Sequence, residues 1–331
     1  MRKYTSAVIG CGRIGSEFDE GPVTDKASSH AGAYFMNPRT ELVCGCDPRP
    51  GKLDAFRGKW GTSGYRDLKD MLKKEQIDIL SVCTPPETHY GIVKDIASSC
   101  PVKAIWCEKP IALDAREAAK MVDLCRKKNI LLMINHQRRF SPFFRELKKR
   151  IDEGMMGRVQ QVNCYYTRGI MNTGVHIVDL FSFLFGRAEW VEAVPSMNRS
   201  SFKDDPNLDV TTKYRKGPLV TMKACDDADY LIFEIDILGS KARLRIGDGI
   251  EYFKAKKGKN LLKKNVLVKQ DKAPIKAVYE AVSLEEGARH IVACLDGKAK
   301  PVSSGSDGKD AVMLINAMHS SAKTGKRSLL N

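Results

Sequence analysis

The stretch "YTSAVIGCGRIG", residues 4–15, constrains the fold more than any other part of the chain. An apolar run with no polar alternation stops at three glycines, Gly10, Gly12 and Gly15. Similar runs recur as "ELVCGCD" (41–47), "QIDILSVCTPP" (76–86), "VKAIWCEKP" (102–110) and "NILLMIN" (129–135). Helix-like stretches separate them: "GKLDAFRGKW", "YRDLKDMLKKE", "HYGIVKDIASS" and "DAREAAKMVDLCRKK", the last with Asp114 and Glu117 at capping-box spacing. Strands apolar on both faces need cover on both faces, which predicts a parallel sheet in a doubly wound α/β domain.

After about residue 140 the pattern changes. "RVQQVNCYYT" alternates like a half-exposed strand. "WVEAVPSM", "DVTTKYRKG", "LVTMKAC", "YLIFEIDILG", "ARLRIG", "GIEYFKAK" and "NVLVKQ" follow, parted by Gly or Asp turns. They predict a large, mostly antiparallel sheet in an α+β domain, closed by helices near 280–296 and 305–324. A chain of 331 residues is too long for one small core, and two domains are expected, 1–135 and 136–331.

The glycine run sits directly after the first strand, where a dinucleotide-binding fingerprint belongs. Gly10 permits the tight turn, Gly12 lets the backbone approach a pyrophosphate, and Gly15 lets a following helix pack closely. Arg13 and Ile14 complete the loop, and the helix N-terminus is expected to face the anion. Asp47, ending the second strand, is placed to accept the adenosine ribose hydroxyls and to repel a 2′-phosphate, favouring NAD. It follows Gly15 by more than the usual ~20 residues, so an insertion is expected around "FDEGPVTDKASSH" (18–30), too polar and broken for regular structure. Arg49 would grip a 2′-phosphate if Asp47 turned away, which keeps NADP in view.

Other classes fare less well. Net charge is +15 and basic clusters occupy 145–150 and 254–264. They lack interleaved aromatics and read as solvated faces, so nucleic acid is not the expected partner. No apolar run reaches the ~18 residues of a membrane span. The ten cysteines contain no CxxC pair or zinc-like spacing, so reduced buried thiols and no metal are expected. With no secretory-type start, the expected compartment is the cytoplasm.

"CTPPETH" (83–89) and "WCEKP" (106–110) end successive strands, where ligands meet parallel sheets. Lys109 there is either a ligand-facing lysine or a surface lysine. In "GIMNTGVHIVDLF" (169–181), His176 is either an acid/base or a histidine satisfied in a core, and Asn172 precedes it by four residues.

Taken together, "GCGRIG", Asp47, "CTPPETH", "EKPIAL", "NHQRRFSP", "IDEGMMGRV", "NTGVHIVDL" and "DGKDAVMLINAMHSSAKTGKR" resemble the Gfo/Idh/MocA oxidoreductases, in order and over nearly the whole chain. The resemblance implies a Rossmann domain followed by an open-faced sheet domain, a nicotinamide cofactor and a carbohydrate-like substrate. It implies that Lys109 holds the reacting hydroxyl and that His176 accepts its proton. It places Thr84, Pro85, His89 and Glu108 near the cofactor. Arg138 and Arg139 match the family's arginine motif, to touch ribose or substrate or to pin the junction. Arg168 either meets an anionic substrate group or forms a surface salt bridge. Asp179 either orients His176 or a substrate hydroxyl or is a helix-surface acid. Asn172 stands where polyol dehydrogenases of the family carry Asp. It therefore either contacts substrate or marks a protein that binds NAD without turnover. A homodimer or homotetramer covering the open sheet is implied as well.

Overall fold

The computed structural model describes residues 3–21, 26–258, 264–280 and 283–330. The chain divides into two compact units, Met1–Ser141 with Val282–Val312, and Pro142–Ala281 with Met313–Asn331. The first unit thus takes back a late segment that a cut at residue 135 assigns to the second.

The first unit is built on six parallel strands: β1 (Tyr4–Ile9), β2 (Thr40–Cys46), β3 (Ser63–Tyr65), β4 (Ile79–Val82), β5 (Ala104–Cys107) and β6 (Leu131–Ile134), in the order β3-β2-β1-β4-β5-β6. Order reverses between β1 and β4, and the crevice beyond their carboxyl ends is the binding place of such sheets. Alternate residues supply two cores. Ala7, Ile9, Leu80, Ile105 and Cys107 pack with Met71, Val93, Ile96 and Met121 of α3 (Leu68–Lys74), α4 (His89–Ser99) and α5 (Ala115–Lys127). Val8, Ile79, Ala104 and Trp106 pack with Tyr34, Leu53, Phe56 and Ile291 of α1 (His30–Met36), α2 (Pro50–Trp60) and α9 (Glu285–Leu295). Both faces are covered, as unalternating strands require. Asp114 caps α5 through the Arg116 amide at 2.7 Å.

The second unit carries nine strands: β7 (Val159–Tyr166), β8 (Ala188–Pro195), β9 (Leu208–Tyr214), β10 (Leu219–Ala224), β11 (Phe233–Gly239), β12 (Ala242–Ile246), β13 (Ile250–Lys257), β14 (Asn265–Gln270) and β15 (Ser328–Leu329). The order is β14-β13-β12-β11-β7-β10-β9-β8-β15, antiparallel except where β7 meets β10. Burial alternates cleanly along β9, the mark of a sheet with one wet face. That face carries ion pairs such as Arg243–Asp236 and Arg245–Glu251.

The basic run 145–150 lies on α7 (Pro142–Asp152), where Lys148–Asp152 and Arg150–Glu146 pair at i,i+4 spacing, a solvated helix face. The run 254–264 lies partly outside the described residues. All ten cysteines are free thiols. No described helix is long and apolar enough to cross a membrane.

Candidate active site

The glycine loop has the predicted turn and lacks the predicted helix. Gly10 has φ +90°, and a Cβ there would lie 2.8 Å from the Cys83 carbonyl. A Cβ on Gly15 would run into the Gly10 carbonyl oxygen. Gly12 is different: a Cβ would meet only Arg49, at 3.6 Å, so its outer face is open to a ligand. After Gly12 the chain makes single helical turns, Ser16 N–H to Gly12 O at 2.9 Å and Phe18 N–H to Arg13 O at 3.1 Å, then a short 3₁₀ segment at Glu17–Asp19.

The α-helix begins only at His30, which corrects the expectation of a helix N-terminus at the loop. The register explains why. The His30 and Ala31 amides bond the Ile14 and Gly15 carbonyls at 2.9 and 3.0 Å. In an uninterrupted helix those bonds belong to residues 18 and 19. The chain therefore leaves the helix for twelve residues and rejoins it in phase. That excursion is the predicted insertion, and it accounts for the long spacing from Gly15 to Asp47. Only residues 22–25 of it lie outside the described residues. The rest is more ordered than its polarity suggests. Asp19 accepts from Ser28 N–H, Ser29 N–H and Ser29 Oγ–H, and Ser29 Oγ caps the Gly32 amide.

Asp47 ends β2 with 1% exposure. Its Oδ2 accepts the Cys11 N–H at 3.0 Å, which ties it to the glycine loop. Burial alone would raise its pKa. Hydrogen bonds from the Arg49 side chain and amide outweigh that and hold the carboxyl below its ordinary value. The exposed Arg49 is folded onto Asp47 and not turned outward.

At the end of β4, Thr84 is half-buried and Pro85 exposed. His89 lies between the two strand-end loops. Its ring is fully buried, with Nδ1 at 3.1 Å from Pro110 O and Nε2 at 2.9 Å from Thr84 O, so it staples the two strand-end loops together. Burial lowers its pKa. Glu108 is held in a buried polar cluster. Its Oε1 meets His30 Nε2 at 2.9 Å and accepts from Asn135 Nδ2. Lys109 itself is half-buried at the end of β5. Arg139 is held inside its own unit by Asp307 (2.8 Å) and Val302 O (3.0 Å). The adjacent Arg138 is half-buried in the same short helix, Gln137–Phe140. Neighbouring His136 is buried and its pKa is pushed down to about 3, so it is a neutral ring.

In the second unit Arg168, Asn172 and His176 share one segment. Arg168 adopts φ +69°, costly for a residue with a Cβ, and its guanidinium stacks on Phe202, 5.2 Å from the ring centroid. Residues Gly169–Gly174 then form a π-helical turn that runs into α8 (Val175–Phe185). Such turns concentrate at functional sites because they re-aim side chains. Asp205 stabilises this one, accepting Met171 N–H and Asn172 N–H at 2.7 Å each. Asn207 accepts Gly169 N–H at 2.9 Å. His176 is half-buried, so it is not a fully enclosed core histidine. Asp179 has 1% exposure and is no helix-surface acid.

Sequence reasoning leaves His30 as a structural histidine and passes over Asn135, Asp205 and Asn207. The Ser-His opening of α1 and the Asp-Pro-Asn turn at 205–207 were the available signals. Among the described residues no group of His, Cys, Asp and Glu is placed to hold a metal.

Two family descriptions match the chain: "Oxidoreductase family, NAD-binding Rossmann fold" over residues 4–136, and "Oxidoreductase family, C-terminal alpha/beta domain" over 148–329. The chain belongs to the Gfo/Idh/MocA oxidoreductases. It is an NAD-dependent enzyme of that family, and the glycine cradle with its open Gly12 face fits the dinucleotide. D-apiose dehydrogenase of Paraburkholderia graminis is 24% identical over 98% of this chain and 89% of its own length. Inositol 2-dehydrogenase of Rhizobium meliloti is 32% identical, over 47% of this chain and 42% of its own. Among solved structures, the WlbA dehydrogenase of Chromobacterium violaceum, in complex with NADH and UDP-GlcNAcA, has TM-score 0.80 at 25% identity. It covers 100% of this chain and 97% of that one.

Proposed function

We propose that this enzyme interconverts a secondary alcohol and a ketone on a sugar, cyclitol or nucleotide-linked sugar. The observation that carries the reading is the gathering of the glycine cradle, Asp47, Thr84 and Lys109 at the carboxyl ends of β1, β2, β4 and β5. Asp47 accepts the ribose hydroxyls. Bound NAD supplies the hydride acceptor, nicotinamide C4. The Lys109 ammonium holds and polarises the reacting hydroxyl, and His176 takes its proton as the C–H hydride departs, which leaves a carbonyl. A half-buried imidazole suits that proton transfer, since its ordinary pKa is near neutrality. Asn172 orients the substrate as a neutral hydrogen-bonding group, and Arg168 faces an anionic substituent. The dehydrogenase names of the relatives support the substrate class, and the wet face of the nine-stranded sheet is read as the surface that a second copy covers.

The test is NADH formation from NAD with myo-inositol, D-apiose and UDP-GlcNAcA. Turnover of any of them supports the reading. No turnover with tight NADH binding favours a protein that binds the cofactor without catalysis.

A further inference from the structure

Beneath Lys109 lies a buried polar chain that the proposed reaction does not use. Tyr34 Oη is 2.7 Å from Ser81 Oγ, Ser81 Oγ is 2.8 Å from His30 Nδ1, and His30 Nε2 is 2.9 Å from Glu108 Oε1. Asn135 Nδ2 donates to the same carboxylate oxygen. Ser81 and His30 are fully buried, Asn135 is 1% exposed and Glu108 is 7% exposed.

One proton arrangement satisfies every link. Burial raises the Tyr34 pKa, so its hydroxyl keeps a proton that it can donate to Ser81. With Ser81 donating to Nδ1, the Nε2–H donates to Glu108, whose ionised carboxylate only accepts. All donors run toward the carboxylate. Burial by itself raises the Glu108 pKa. The His30 hydrogen bond leads the opposing causes, with Asn135 and Lys109 behind it, and the net direction is down. The other titratable groups that feel Glu108 are Cys83, His89, Cys107 and His136.

The fold goes to some length to put His30 there. The twelve-residue excursion rejoins α1 in phase, and Asp19 approaches so close to Gly32 that a Cβ would collide with its carboxylate. The imidazole is then pinned against Trp106, ring centroids 4.1 Å apart. An out-of-phase return would swing His30 to another face of the helix.

We propose that His30 is a positioning residue of the reaction: it locks the Glu108 carboxylate, whose Oε2 accepts the Lys109 backbone N–H at 3.3 Å, and so holds Lys109 in its working place. The proposal rests on the reading of Lys109 given above.

The direct test follows the titration of Lys109 in spectra of isotope-labelled lysine, with its signal identified through Lys109→Arg. Without a fixed anion beside it, an ammonium loses its proton more readily. His30→Ala and Glu108→Gln are expected to move the Lys109 titration to lower pH. His30→Gln keeps an N–H donor and restores most of the wild-type behaviour. The double variant goes no further than Glu108→Gln alone, because His30 acts through the carboxylate. NADH affinity stays within a few-fold, which shows the fold intact.

A Lys109 titration unmoved in Glu108→Gln, or moved there and unmoved in His30→Ala, overturns the proposal. If His30→Ala does not fold, Ser81→Ala takes its place and moves the titration in the same direction by less; no movement counts against the proposal. The titration needs no substrate. An active Lys109→Ala enzyme therefore refutes the reading of Lys109, separately from the coupling of His30 to Glu108.

Discussion

Arg49 closes a two-pronged ion pair on Asp47, Nε to Oδ1 at 2.9 Å and Nη2 to Oδ2 at 2.8 Å, directly beside Gly12. On the reading proposed above, the ribose-reading carboxylate thus holds in check the guanidinium that would grip a 2′-phosphate. Asp47→Asn removes the charge and frees the guanidinium. Parallel fluorescence titrations are expected to show NADH weakened by about tenfold, ~1.4 kcal/mol, and NADPH tightened. Arg49→Ala leaves NADH nearly unchanged and weakens NADPH. Unchanged selectivity in Asp47→Asn would show that other residues read the ribose.

Gly12 and Gly15 separate a ligand constraint from a folding constraint. Gly12→Ala meets open space, so its melting temperature stays close to wild type while NADH affinity falls. Gly15→Ala drives a methyl into the Gly10 carbonyl and lowers the melting temperature as well. Equal thermal losses in the two variants would contradict this division.

Asp205 should matter to catalysis through the π-helical turn it holds. Asp205→Ala strips the Met171 and Asn172 amides of a carboxylate acceptor, costing ~2 kcal/mol of stability by the usual cost of a charged hydrogen bond. It loosens the π-helical turn that presents Asn172 and His176. Turnover is expected to drop well beyond any change in NADH affinity, and a variant with full turnover would remove the turn from the mechanism.

Acid sensitivity has an identifiable source in Asp296. Hydrogen bonds from Arg39 and then Tyr4 hold its carboxyl far below the ordinary carboxylate range. A depressed folded pKa gives stability that is present above the unfolded value of ~4 and lost as pH falls toward the folded one. Urea midpoints of wild type and Asp296→Asn are expected to differ at pH 6 and to draw together progressively as pH falls below ~4. A constant gap down to low pH would assign the acid loss to other carboxylates.

The sequence made the sheets plain because their physics is local. Unalternating runs at 79–82 and 104–107 and alternation at 208–214 each announce their burial. β3 escaped because Ser63–Tyr65 is three residues of no distinctive hydrophobicity. The glycine loop, Lys109 and His176 were legible as motifs. The partners of Glu108 and of the π-helical turn were not, because His30 and Asp205 reach their contacts through long separations in the chain. The excursion before α1 was visible only as excess spacing; its return in phase is a property of hydrogen bonds, which no composition records. The buried partners of His89 and Arg139 were equally hidden, since Pro110, Val302 and Asp307 lie far from them in sequence.

The most direct test of the central claim combines NADH titration with NAD-dependent turnover for wild type, Lys109→Ala and His176→Ala, using whichever of UDP-GlcNAcA, myo-inositol and D-apiose the wild type oxidises. The predicted result is NADH binding within a few-fold in all three proteins, with turnover abolished in Lys109→Ala and reduced by about 10²-fold or more in His176→Ala. Near-normal turnover in Lys109→Ala would contradict the assignment of the proton chemistry to this site.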